Sequence, residues 1–222
     1  MSEHIVKVLR AEFVNHNVRQ FTVERPKGYE FISGQATDVS INLPDWKDEL
    51  RPFTFTSLND WDHLEFTIKI YNDHEGVTKQ LGKVNAGVEL ILHDVFGVIQ
   101  YKGPGVFIAG GAGVTPFISI FRHLKAKNEI GSNVLVCANK TKTDIILEKE
   151  FTDMLGDSFI NILSGENEEG YHHGMISEDF LKGVIKGNDQ QFYVCGPPPM
   201  MDAVLEQLAN LGVGEHAITV EV

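Results

Sequence analysis

The sequence predicts a β-barrel plus α/β fold: an antiparallel six-stranded barrel over residues 1–101, then a five-stranded parallel sheet with helices over 102–222. Three observations carry this prediction. The first half holds short alternating apolar runs separated by turn residues, which is typical of antiparallel strands in a closed barrel. The second half alternates strand patterns with helical ones, which indicates a parallel doubly wound sheet. Lys102-Gly103-Pro104-Gly105 separates the two patterns and is the predicted linker.

The first half is predicted to form the barrel strands. Turn residues at 15–17, 26–28 and 33–34 separate the apolar runs. The clearest alternation is Leu-Glu-Phe-Thr-Ile-Lys-Ile-Tyr, in which every second residue is apolar and faces one side of a strand. The predicted strands cover 5–9, 18–23, 36–43, 51–57, 64–71 and 87–92, and a short helix is predicted after Gly76.

The second half is predicted to form the parallel sheet, because helical crossovers connect parallel neighbours. The predicted strands cover 106–109, 133–138, 159–163, 191–195 and 217–221. The predicted helices begin after Thr115 and lie near 147–155, 177–185 and 197–211. His172-His173 falls between elements and is predicted to be an exposed loop, with no third metal ligand at a recognisable spacing.

Composition narrows the class of protein. Lys plus Arg is 19 and Asp plus Glu is 31, which gives a net charge of −12. A nucleic-acid partner needs a basic face and is therefore not predicted. The apolar runs fall short of the roughly 20 residues that span a bilayer, and the start, Met1-Ser2-Glu3-His4, is not a signal peptide. We expect a cytoplasmic protein with no membrane partner.

The two cysteines, Cys137 and Cys195, lie in or at the end of apolar strand patterns. Their spacing indicates neither a metal site nor a disulfide framework, so both are predicted to be thiols. A protein-bound [2Fe-2S] cluster would need about four ligands. An electron carrier beyond a bound cofactor is therefore predicted to be a separate molecule.

One heptapeptide concentrates binding chemistry. Arg51-Pro52-Phe53-Thr54-Phe55-Thr56-Ser57 combines a fixed cation, a flat apolar ring and small hydroxyls on a predicted strand. Arg51, Phe53 and Phe55 project to one side and Thr54 and Thr56 to the other. Arg51 suits a phosphate, Phe53 a planar ring, and Thr54 a polar ring edge. An ordinary amphipathic strand led by an Arg-Pro turn remains the alternative.

Three further stretches suit phosphates and nucleotides. Gly76-Val77-Thr78 reads as a glycine turn that opens a helix, whose amides can bind an anion, or as a plain capping turn. Gly110-Gly111-Ala112-Gly113-Val114-Thr115-Pro116-Phe117 follows a strand and opens a helix, but Pro116 stands near the place of a third glycine. Cys195-Gly196-Pro197-Pro198-Pro199-Met200 ends another strand, and Cys195 is either part of a site or a buried structural thiol.

The order of these motifs resembles the ferredoxin-NADP reductase superfamily, whose pattern is R-x-Y-S/T, then G-x-G-x-x-P, then C-G-x-x-x-M. The resemblance implies an FAD-binding barrel domain and an NAD(P)-binding Rossmann-like domain. It implies catalytic roles for Thr54, Cys195 and Glu221. The implied cofactor-binding residues are Arg51, Pro52, Phe53, Thr54, Ile68, Lys69, Ile70, Gly76, Val77, Thr78, Gly111, Gly113, Val114, Thr115, Pro116, Cys195, Gly196, Pro197 and Pro198.

The implied activity is passage of hydride from NAD(P)H to bound FAD, and then of single electrons to ferredoxin, flavodoxin or an oxygenase component. FMN is the less favoured flavin. The alternatives are a free-flavin or ferric reductase, and a flavin-binding regulatory or electron-relay subunit that does not turn over nicotinamide. Phe53 stands where the family usually has Tyr.

Two departures from the family pattern predict details. NADPH-using relatives often show Ser-Arg after the third strand, whereas this chain reads Ser164-Gly165-Glu166, so NADH is the expected coenzyme. Lys140 and Lys142 could still offer positive charge to the 2'-phosphate of NADPH. The chain ends Glu221-Val222 without the aromatic residue that covers one flavin face in relatives. We therefore expect an open flavin face.

Overall fold

The computed structural model describes residues 2–73, 75–187 and 190–220. Its residues group into two compact units. The first unit contains the chain up to Gln100 together with Thr115–His123. The second contains Tyr101–Val114 and the residues from Leu124 onward.

The first unit is a six-stranded antiparallel barrel with strand order β4-β3-β6-β1-β2-β5. The strands are β1 His4–Phe13, β2 Val18–Glu24, β3 Ala36–Ile41, β4 Arg51–Thr54, β5 His63–Lys69 and β6 Glu89–Phe96. A bridge between Phe55 and Phe66 joins the two ends of this order, and the Thr56 amide donates to the Glu65 carbonyl over 2.8 Å. The sheet therefore closes, which removes its exposed edges.

The barrel core follows the predicted alternation. Phe21, Phe55 and Phe66 have no exposed surface, and the Phe55 ring packs 5.2 Å from Phe66 and 4.3 Å from Phe31, measured between centroids. Burial of each such ring contributes about 1.5–3 kcal/mol. Two helices belong wholly or partly to this unit: α1 Val77–Leu81, and α2 Thr115–Ala126 as far as His123.

The second unit is a six-stranded sheet of parallel strands, with order β10-β9-β8-β7-β11-β12. The strands are β7 Gly105–Gly110, β8 Val134–Asn139, β9 Phe159–Leu163, β10 His172–His173, β11 Gln191–Cys195 and β12 Ile218–Val220. From β7 the chain first builds β8, β9 and β10 on one side, and then places β11 and β12 on the other. The strand order therefore reverses between β7 and β11.

The predicted parallel sheet of five strands lacks one strand of the observed sheet, because the predicted loop at His172-His173 forms a strand. These two residues form β10, paired in parallel with Ile162 and Leu163, and the Gly174 amide donates to the Leu163 carbonyl over 2.9 Å. Both histidine side chains are exposed. The strand has no apolar run to reveal it, because backbone hydrogen bonds to the sheet edge, not side-chain burial, define it.

Helices cover the parallel sheet with apolar side chains. The remaining helices are α3 Glu148–Leu155, α4 Glu178–Val184 and α5 Pro198–Asn210. The Ser177 hydroxyl caps α4 by accepting from the Phe180 amide over 3.2 Å. Leu181 and Leu208 are fully buried in the core that contains Val106 and Val194. Across the described ranges, we find no helix with the length and apolarity that a membrane crossing requires.

Candidate flavin and nicotinamide sites

Arg51 begins β4 and pairs across the sheet with Val39 of β3. Its side chain is half exposed and lies 3.8 Å from the Glu49 carboxylate, and it also donates to the Leu50 carbonyl over 2.6 Å. An exposed ion pair of this length contributes at most about 1 kcal/mol. The guanidinium therefore stays accessible to a stronger anion such as a phosphate.

The next three residues of β4 differ in exposure. Pro52 is exposed, whereas Phe53 is partly buried and packs against the barrel core. Thr54 keeps 8% of its surface exposed and pairs with Ala36. Phe53 therefore has one side engaged in packing and a partly exposed remainder.

The end of β5 contributes mainly backbone. Ile68 and Ile70 are buried in the barrel core, so their side chains point away from any surface ligand. The Ile70 amide donates to the Asn17 carbonyl over 2.7 Å. The Lys69 ammonium lies 5.9 Å from the centre of the Tyr71 ring. Of the three predicted residues, Lys69 has the side chain that can reach a bound molecule.

Helix α1 offers donors near Arg51. Gly76 is its N-cap and gives no side-chain cap, while Val77 is buried in the barrel core and Thr78 is partly buried. The first-turn amides of a helix have no partner within the helix. α1 contacts β3, the strand with which Arg51 pairs. This donor set fits a diphosphate.

In the second unit, the two nucleotide motifs meet at the carboxyl ends of β7 and β11. Cys195 lies beside Ala109 in the parallel register. A Cβ placed on Gly113 would lie 2.2 Å from the Cys195 carbonyl oxygen, and one on Gly196 would lie 2.9 Å from the Gly110 amide nitrogen. Glycine therefore lets the loop and the turn pack backbone against backbone. Ligands of open α/β sheets bind where the strand order reverses, as it does here.

The loop itself is a 3-10 turn, Gly111–Val114, that leads into α2. Gly111 has a φ of 52°, and a Cβ placed there would meet nothing within 4 Å. Val114 and Pro116 are buried and Thr115 is partly buried. Pro116 lies in the first helical turn, where its missing N–H is not needed. Open space beside Gly111 fits a nucleotide that approaches the backbone closely.

The thiols differ in setting. Cys195 is 8% exposed at the strand end, followed by Gly196 and by the exposed Pro197 and Pro198. Burial raises the pKa of Cys137 far above the ordinary thiol value, so that residue stays protonated. The third predicted catalytic residue, Glu221, lies outside the described residues.

Carboxylates dominate the ends of β8 and β9. The Lys142 ammonium donates to Glu168 over 3.1 Å, and its backbone amide donates to the Glu166 carboxylate. The hydrogen bond to Glu168 raises the pKa of Lys142. A Cβ on Gly165 would lie 2.9 Å from the Lys140 carbonyl oxygen, so a larger residue there would displace backbone. Of the two lysines considered, Lys142 is therefore already paired with a carboxylate.

A buried ion pair in the first unit escaped prediction. The Arg122 guanidinium of α2 donates to Glu65 of β5 over 2.6 Å, and the two side chains are 11% and 6% exposed. In the sequence, Glu65 occupies a polar position of an alternating strand, which predicts solvent exposure. The sequence signal that could have revealed this ion pair is Arg122, a charged residue within the apolar run of α2.

Comparisons with known proteins agree with this architecture. The family model of the oxidoreductase NAD-binding domain matches residues 107–206. NADH-cytochrome b5 reductase 1 of Kluyveromyces lactis is 29% identical over 90% of this chain and 76% of that protein. The reductase component of propane 2-monooxygenase of Rhodococcus jostii is 29% identical over 87% of this chain, which spans only 55% of that protein.

A solved structure shares the fold across both units. The ferredoxin NADP+ reductase of Neisseria gonorrhoeae, with bound FAD and NADP, superposes with a TM-score of 0.88 at 18% identity. The match covers 100% of this chain and 98% of that one. The barrel fold and the parallel-sheet fold are therefore both found in that reductase.

Proposed function

We propose that the chain is a member of the ferredoxin-NADP reductase superfamily that binds FAD, takes hydride from NADH and delivers electrons to a separate carrier protein. The observation that carries the proposal is the backbone packing of Gly113 on Cys195 at the strand-order reversal. This packing supports a nicotinamide nucleotide site beside Gly111. Candidate carriers are a cytochrome b5-like protein, by similarity to the Kluyveromyces lactis reductase, and a ferredoxin-like protein, by similarity to the Neisseria gonorrhoeae reductase.

Each group of residues has a role in this proposal. Arg51 and the first-turn amides of α1 bind the diphosphate, Phe53 offers a ring face, and Thr54 offers a hydroxyl to the polar ring edge. The loop at Gly111 and the turn at Cys195 orient the nicotinamide. When bound, the flavin would supply the conversion of the two electrons of one hydride into single electrons. Orientation of the two rings by the protein provides much of the rate.

Anaerobic mixing of the FAD-loaded protein with NADH in a stopped-flow instrument tests the proposal. We expect rapid loss of the flavin absorbance band, followed by its recovery when a one-electron acceptor is added. Absence of bleaching with both NADH and NADPH would contradict the proposal and favour the regulatory or relay subunit. Loss of flavin during gel filtration would instead favour the free-flavin reductase.

Arg51→Ala is expected to weaken flavin binding. Loss of a hydrogen bond to a charged group costs about 1.5–3 kcal/mol, which is about 10- to 150-fold in Kd. Arg10→Ala is the matched control, because Arg10 is also an exposed barrel arginine 3.8 Å from a carboxylate, here that of Glu12. Flavin fluorescence titration measures both variants. Equal affinities would remove Arg51 from the flavin site.

Glu166→Gln is expected to shift coenzyme use toward NADPH. The carboxylate lies among Glu168 and the paired Lys142, where a 2'-phosphate would be repelled. Removal of one such repulsion is worth about 1 kcal/mol, or roughly fivefold in the ratio of kcat/KM values for NADPH and NADH. Glu206→Gln, at an exposed position of α5, makes the same charge change as a control. An unchanged ratio would contradict this assignment of Glu166.

A further inference from the structure

A buried polar network surrounds the Glu65 carboxylate. One carboxylate oxygen accepts from Arg122 over 2.6 Å and from the Thr56 hydroxyl over 2.7 Å. Arg122 also donates to the Thr56 carbonyl over 2.7 Å. Because the Thr56 hydroxyl donates its proton to Glu65, it accepts from Thr67, whose hydroxyl oxygen is 3.2 Å away. Both the backbone and the side chain of Thr56 are thus fixed by one ion pair.

The strand end that this network holds carries a predicted flavin residue. Thr54 and Thr56 are two residues apart and project to the same side of the chain. β4 ends at Thr54, so the segment after it is no longer held by the ladder to β3. Hydrogen bonds from Phe55 to the Gln35 carbonyl and from Thr56 to Glu65 hold it instead. Thr54 is the last residue of that ladder, paired with Ala36, and the contacts of Thr56 hold the segment that follows it directly.

The other end of the network is the helix that begins with Thr115. Residues Thr115, Ser119 and Arg122 are four and then three positions apart, so they lie on one face of α2. Ser119 is fully buried and accepts from the Gly34 amide over 3.0 Å. The guanidinium of Arg122 also lies 5.4 Å from the centre of the Trp61 ring. Two contacts on this face, at Ser119 and Arg122, therefore fix α2 to the barrel strands.

We propose that Arg122 and Glu65 form a positioning pair that holds Thr54 and Thr115 in the arrangement needed for hydride transfer. The inference rests on the proposed function, since both threonines act only if flavin and nicotinamide bind there. Neither member of the pair touches the reacting atoms. The planar guanidinium satisfies a carboxylate and a carbonyl at once, which a lysine ammonium cannot reproduce with the same geometry.

Arg122→Met and Glu65→Gln test the pair in the FAD-loaded protein. Misplacement of reacting groups by about 1 Å can cost about 100-fold in rate, so we expect Arg122→Met to lower the limiting rate of reduction by NADH about 10- to 100-fold. Flavin content and the apparent Kd for NADH should stay close to native values. Hydrogen exchange of the amides of Phe55 and Thr56 should accelerate, and this readout does not depend on activity. Glu65→Gln keeps the side-chain shape and should change both readouts in the same direction, as a second test if Arg122→Met fails to fold.

Arg25→Met is the matched control and Arg122→Lys the conservative variant. Arg25 is another bonded arginine of the barrel, which donates to the carbonyls of Tyr29 and Trp61 but not to residues 51–57. Its loss should lower the melting temperature and leave the reduction rate native, whereas Arg122→Lys should recover part of the lost rate. Native reduction rates in folded Arg122→Met and Glu65→Gln would overturn the positioning role. Failure of the unmodified protein to react with NADH would instead overturn the proposed function, and the inference with it.

Discussion

Gly113→Ala is expected to abolish productive nicotinamide binding. The added methyl would lie 2.2 Å from the Cys195 carbonyl oxygen and 2.7 Å from the Gly196 Cα, which are backbone atoms with no rotamer to change. The ends of β7 and β11 would have to separate, and overpacking of this kind costs about 1–3 kcal/mol or more. Because displacement by about 1 Å can cost about 100-fold, kcat/KM for NADH should fall by at least that factor.

Steady-state kinetics and flavin content together test this expectation. The barrel holds the predicted flavin residues, so bound FAD should remain while NADH turnover is lost. Gly183→Ala is the control, because a Cβ at that position of α4 meets nothing within 4 Å. Near-native kcat/KM in Gly113→Ala would mean that the loop and the turn are not the nicotinamide site.

Arg122→Ala should destabilise the first unit by about 3–5 kcal/mol, because it leaves the buried Glu65 carboxylate without its cation. Urea denaturation at fixed FAD concentration measures the change. The two tryptophans, Trp46 and Trp61, both belong to the first unit, so their fluorescence reports on its unfolding alone. A change below about 1 kcal/mol would indicate that water or another group replaces the guanidinium.

The double variant Arg122→Met/Glu65→Met removes both charges of the ion pair but keeps much of the side-chain volume. Replacement of a buried pair by apolar residues is often neutral or stabilising. We therefore expect the double variant to recover most of the stability that Arg122→Ala loses. If the positioning inference is correct, its rate of reduction by NADH should nevertheless stay low. The stability of the first unit and the rate of reduction by NADH would then respond differently to the same pair of substitutions.

The barrel strands and the parallel sheet were predictable because their side chains alternate or run apolar according to burial. The ends of elements were harder to predict. β4 stops at Thr54 although the strand pattern continues to residue 57, because the chain leaves β3 there and bridges to β5. β10 carries two exposed histidines and has no hydrophobic signal.

In the candidate sites, too, some features could be predicted from the sequence and others could not. The sequence pattern predicts a close backbone approach at Gly111 and Gly113, and the structure packs Gly113 on Cys195, whereas the role of these residues in nucleotide binding stays a prediction. Alternation correctly places the side chains of Ile68 and Ile70 on the core side of the strand, and their predicted part in flavin binding stays untested. The Arg122–Glu65 pair was missed because two distant segments create it, and neither segment alone predicts a buried charge.

The packing of Gly110, Gly113 and Gly196 has an evolutionary consequence. Glycine has no side chain through which mutation could adjust coenzyme choice. A Cβ at each of these positions would lie within 3 Å of another residue, which is Met200 for Gly110 and Gly196 and Cys195 for Gly113. Under the proposed function, coenzyme selectivity would therefore change elsewhere, at the partly buried Glu166 and the exposed Glu168. If the proposed nicotinamide site is correct, substitutions among these carboxylates can alter coenzyme choice while the packing of Gly113 on Cys195 stays unchanged. Catalysis and coenzyme preference become separately evolvable traits.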